Sequence, residues 1–176
     1  GFGLQPRNIY RYTIATKALD KSPFSGVNVN RPVLADIDGD SIPEIFGFMT
    51  ASGNYHTPTP FSDYSAWLMV YGASLKLKLD PVEFRGFGNA LCVQPFISQG
   101  GHRLLVALKQ FGADQTQLRS RLMVYSPEGQ LVKEKLIQEF HWNRPAFEAI
   151  VIKHDMVDQI ILVTDNLQAL DANLDV

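Results

Sequence analysis

Cysteine is almost missing from this chain of 176 residues: Cys92 is the single one. An intramolecular disulfide framework is therefore excluded. The setting Ala90-Leu91-Cys92-Val93 reads as an apolar strand with a buried thiol rather than a nucleophile. No apolar run approaches the ~20 residues that a helix needs to cross a bilayer, so no helical membrane span is expected. A signal-peptide pattern is also lacking, because Arg7, Arg11, Lys17 and Asp20 punctuate the first residues. A start at Gly1 without methionine fits a processed or excised piece. Net charge is −2, from 16 basic and 18 acidic residues, which leaves no electrostatic footprint for nucleic acid. The four histidines, His56, His102, His141 and His154, stand singly, and no zinc spacing links them. A nucleophile elbow, a phosphate-cradling glycine loop and a paired His/Cys arrangement are absent as well. These gaps remove the usual signatures of hydrolases, nucleotide enzymes and zinc proteins.

What is present is one concentrated acidic stretch, Asp36-Ile37-Asp38-Gly39-Asp40-Ser41-Ile42-Pro43-Glu44-Ile45. Its carboxylates occupy the first, third, fifth and ninth positions of a short loop with apolar residues on both sides. Charges of one sign this close repel strongly unless a counter-ion joins them. A hard divalent cation solves that problem, since Ca2+ accepts about six to eight oxygens in loose geometry. Asp36, Asp38 and Asp40 would supply side-chain oxygens, Ile42 a backbone carbonyl, and Glu44 one or both of its oxygens. Gly39 lets the chain bend without a Cβ clash. The competing reading is an acidic surface turn between two strands.

The segment from Pro32-Val33-Leu34-Ala35 through Asp36-x-Asp38-Gly39-Asp40-x-x-Pro43-Glu44-Ile45 resembles the calcium loop of FG-GAP/VCBS-type repeats. Those repeats are the blades of integrin-α-like β-propellers. One departure is Ser41, where the family usually carries glycine after the third aspartate. If that position needs a positive φ, Ser41 strains the loop and weakens calcium binding. The resemblance implies an all-β fold of antiparallel four-stranded blades, Ca2+ as the cofactor, and an extracellular or cell-surface setting.

Internal similarity extends beyond the loop. Leu68-Met69-Val70-Tyr71 recurs as Leu122-Met123-Val124-Tyr125, and Asn30-Arg31-Pro32 recurs as Asn143-Arg144-Pro145. Units of this length holding four short strands are expected of propeller blades. Residues 1–29 are then a strand and linker of a preceding or closing blade, and residues 30–88 a blade with the calcium loop. Residues 89–142 form a blade without one, since Ser98-Gln99-Gly100-Gly101 replaces the carboxylates. Residues 143–176 form a shortened blade. Strands are expected at 8–19, 33–36, 44–50, 66–71, 75–79, 90–97, 103–109, 118–125, 131–137, 146–152, 159–164, 167–170 and 172–176. Lys76 and Lys78 on the alternating segment Leu75-Lys76-Leu77-Lys78-Leu79 suit an outer strand protected from edge pairing. Apolar faces between blades are assigned to Val33, Ile45, Leu68, Val70, Leu91, Val93, Leu105, Leu122, Val124, Ile150 and Ile161.

About three blades are present, and propellers close with about 4–8. The expected partners are therefore other blades or another protein chain covering the open faces. The expected function is non-catalytic: recognition, adhesion or scaffolding by a calcium-binding module. The insertion holding Tyr55, His56, Phe61 and Tyr64 is the candidate surface for a protein or glycan ligand. Its alternative is a loop that packs its aromatics on neighbouring blades. A rival function class is the propeller part of an enzyme, such as a polysaccharide lyase or a quinone-dependent dehydrogenase. The third is a structural subunit piece of a larger assembly. Fold alone does not separate these.

Overall fold

The computed structural model describes residues 7–23, 25, 28–51, 53, 58–86, 89–111, 117–141, 148–153, 157–164 and 166–176. All of its regular structure is β; no α-helix occurs among the described residues. A hairpin of β1 (Tyr10–Thr13) and β2 (Ala18–Lys21) comes first. A six-stranded antiparallel sheet follows, built from β3 (Asn28–Ala35), β4 (Glu44–Thr50), β7 (Ala90–Ser98), β8 (Gly101–Phe111), β9 (Gln117–Tyr125) and β10 (Leu131–His141). Its order is β10-β9-β8-β7-β4-β3. Beside β4 lies the pair β5 (Ser65–Leu68) and β6 (Val82–Arg85), and the last sheet holds β11 (Glu148–Ile152), β12 (Gln159–Val163) and β13 (Leu167–Leu170). Among the described residues these sheets do not close into a ring.

The period of two along β7–β9 creates a layer with two apolar faces. Leu91, Val93, Leu104, Val106, Leu108, Met123 and Tyr125 join Ile37, Phe46, Leu68 and Val70 in one core. The intervening residues Phe96, Leu105, Leu122 and Val124 point the other way, against Ala149, Ile160, Leu162, Leu170 and Leu174. Gln94 fastens this second contact, donating to Ala149 O at 2.6 Å and accepting from Val151 N–H at 3.2 Å. Strands β7–β9 are thus packed on both sides. Of the expected interface residues, Val33 and Ile45 are half-buried against the first core. Ile150 and Ile161 fall instead on the outer face of the last sheet, where Ile150 is 44% exposed.

Several strand boundaries differ from expectation for local reasons. Residues 8–19 are not one strand: the chain reverses between Thr13 and Ala18, with Lys17 at φ 55. Residues 75–79 form no continuous strand either. Leu75 takes φ 62 in the turn, Leu77 meets Tyr71 through an isolated bridge, and β6 supplies the ladder partner of β5. Pro81, which lacks an N–H, separates the two pieces. Residues 172–176 are turn rather than strand. Asp171 Oδ1 accepts from the N–H groups of both Asn173 and Asp175, at 2.8 and 3.0 Å, and Leu174 has φ 62.

One turn geometry recurs. Gly72, Ser126 and Asp171 N–H donate to the carbonyls of Lys76, Gln130 and Asp175, and each turn ends on a positive-φ residue: Leu75, Gly129 or Leu174. Each of these turns touches an adjoining layer. Arg11 donates to Ala73 O, and Lys135 Nζ donates to Leu174 O at 2.6 Å. A Cβ at Gly129 would lie 3.3 Å from Leu79 Cδ1.

Candidate metal centre

The acidic loop joins β3 to β4, so two paired strands fix both of its ends. Inside it the first aspartate organises the backbone. Asp36 Oδ1 accepts from Gly39 N–H at 2.6 Å, and Oδ2 accepts from Ser41 N–H at 2.8 Å. Asp40 Oδ1 accepts from Ile42 N–H at 2.7 Å. Partial desolvation raises the Asp36 carboxyl. Backbone N–H bonds from Gly39, Ser41 and Asp38, with a Coulombic pull from His102, outweigh it and hold the group below the ordinary carboxylate value. Positive φ occurs at Gly39 (85) and at Ser41 (67). Ser41, the non-glycine residue of the two, carries the Cβ conflict of the left-handed region.

The loop brings together three of the four carboxylates. One oxygen each from Asp36, Asp38 and Asp40 lies within 4.8 Å of the others, a span compatible with a single oxygen-liganded cation. Ile42 sits in the same loop with its side chain half exposed; that side chain has no ligand atom, so only its backbone carbonyl could contribute. Glu44 does not belong to the cluster. It is 1% exposed, with Oε2 accepting from Ile37 N–H at 3.0 Å and Oε1 2.6 Å from Lys78 Nζ. The three aspartates offer oxygens of the type a hard divalent cation takes; Glu44, as placed, is engaged by Ile37 N–H and by Lys78.

Lys78 is the residue that sequence reasoning did not connect to this loop. Its Nζ lies 2.6 Å from Asp38 Oδ2 and 3.6 Å from Asp40 Oδ2. Desolvation works against the ammonium charge, but hydrogen bonds to Asp38 and Glu44 and their Coulombic attraction raise its pKa above the ordinary lysine value. The alternation of residues 75–79 did signal that Lys76 and Lys78 share a face, though not what that face meets. His102, at the start of β8, is the second neighbour: a Cβ on Gly39 would stand 3.5 Å from its Nε2. No spacing in the sequence links His102 to the loop.

The candidate recognition residues are placed separately. Phe61 is half-buried and stacks edge-on against Trp67, with ring centroids 5.3 Å apart at 76°. Trp67 Nε1 donates to Ser62 O at 2.9 Å, and both rings pack on the first core. Tyr64 is 50% exposed. Tyr55 and His56 lie outside the described residues. No protein-family model matches this chain, and no curated protein or solved structure proves similar to it.

Proposed function

We propose that the chain is a non-catalytic module of stacked antiparallel sheets, of the FG-GAP/VCBS propeller kind, whose acidic loop binds one calcium ion. The observation that carries this reading is the convergence of Asp36, Asp38 and Asp40 carboxylate oxygens in a loop held between paired strands. The ion would relieve repulsion among three carboxylates and fix the β3–β4 connection. Its role would be structural, with recognition, adhesion or scaffolding carried by a separate surface such as the loop around Tyr64. Further blades or another chain would cover the open sheet faces, in a secreted or cell-surface protein.

Calcium modules of extracellular type bind as weakly as on the order of 10^-4–10^-3 M, so calorimetry must reach millimolar calcium. Wild-type protein is expected to bind one ion and to melt at a higher temperature with calcium, because the ion binds the folded state alone. Asp38→Ala removes a charged ligand and is expected to abolish both effects. Binding that survives Asp38→Ala, or none at millimolar calcium, would defeat this reading.

A further inference from the structure

The ammonium of Lys78 already stands where a cation is wanted. It makes ion pairs with Asp38, Asp40 and Glu44 at 2.6, 3.6 and 2.6 Å. Three donors on a compact positive charge suit such a shared position. Glu44 depends on it in particular, because a carboxylate buried to 1% exposure needs a charge partner or pays heavily in lost hydration. Its other oxygen is occupied by Ile37 N–H.

A divalent ion drawn in by the aspartates would compete for the same Asp38 carboxylate. Two positive charges on the ion and one on the ammonium, sharing that ligand, repel each other inside a partly desolvated site. We infer that Lys78 and a divalent cation are mutually exclusive occupants of the acidic loop, so that ion entry requires the ammonium to leave Asp38 and Glu44. Departure of the lysine frees Glu44 Oε1, the carboxylate otherwise missing from the ligand set. The exchange needs only a side-chain swing: Lys78 N–H stays bonded to Val70 O at 2.9 Å, and Tyr71 stays bridged to Ile45 and Leu77. Lys78 is thus a tethered counter-ion that keeps the loop folded without metal and sets a threshold on calcium affinity. This inference rests on the calcium reading above.

The test compares wild type with Lys78→Met, which keeps the aliphatic stem and removes the charge, by calorimetric titration with calcium chloride and by thermal melts. Lys78→Met is expected to bind calcium at least tenfold more tightly. It is also expected to melt lower than wild type without calcium, the gap narrowing at saturation. Equal affinities in the two proteins overturn it and leave the calcium reading standing. Absence of binding in both overturns the calcium reading and the exclusion with it. If Lys78→Met does not fold, Lys78→Gln replaces it, read by the same criteria.

Discussion

Ser41 and Leu174 share a backbone conformation, φ 67 and φ 62, in opposite surroundings. Ser41 is exposed, and its contribution to the loop comes from its N–H, donated to Asp36. Ser41→Gly keeps that bond and removes the Cβ conflict of the left-handed region. Offset in part by the greater freedom of glycine in the unfolded chain, it is expected to stabilise by roughly 0.5–1 kcal/mol. Leu174→Gly relieves the same strain but deletes a side chain at 0% exposure in the second core. A buried leucine is worth about 2–5 kcal/mol, so this change is expected to destabilise clearly. Denaturant melts of both variants check the pair. A gain in stability for Leu174→Gly, or a loss for Ser41→Gly, would contradict the account.

At the level of the element, the turn after β13 depends on an ionised carboxylate. Asp171 accepts from Asp175 N–H, from Asn173 N–H and from the Asn173 side chain. The Asp175 backbone bond contributes most to holding its carboxyl below the ordinary value, and with the bonds from Asn173 it outweighs the opposing effect of desolvation. A carboxylate whose folded pKa is depressed stabilises the fold above its unfolded value, about 3.9, and that stability is lost as the pH falls through the folded value. A carboxyl carbon-13 titration of Asp171 is expected to show a midpoint below that of an unstructured aspartate. A midpoint at or above it would show that the turn does not select the charged form. The segment of residues 75–79 carries a related lesson. Its alternation suits an outer strand, yet its ladder is reduced to one bridge, and Lys78 is engaged by the acidic loop.

Across the whole molecule, layers repeat the same device: a twisted sheet offers alternate residues to the neighbours on either side. Strands β7–β9 of the middle sheet have both faces covered. The last sheet has one face covered, while Ile150, Ile152 and Leu167 remain exposed on the other, Leu167 at 76%. Large contiguous apolar patches on a protein surface are commonly interaction sites. The protein is expected to self-associate or to bind a hydrophobic dye, and Ile150→Lys with Leu167→Lys is expected to suppress both without lowering the melting temperature. Light scattering and dye fluorescence on wild type and double variant provide the check. A wild type that stays monomeric and dye-silent at high concentration would mean that the face needs no partner.

The sequence by itself determined the β class, the position of the acidic loop and most strand centres. Alternating apolar residues and turn-forming clusters are local signals, and the strands at 44–50, 90–97, 118–125 and 167–170 follow them closely. It also marked Ser41 as the position where a positive φ would be felt. Only the tertiary structure decided which strands share a sheet, since the pairing of Met49 with Leu91 joins elements far apart in the chain. It alone assigned Glu44 to the interior and Lys78 to the loop. The physical reason is common to both: burial and ion pairing depend on what another segment brings within a few ångströms. Spacing along one chain encodes which residues share a face, but not what that face will meet.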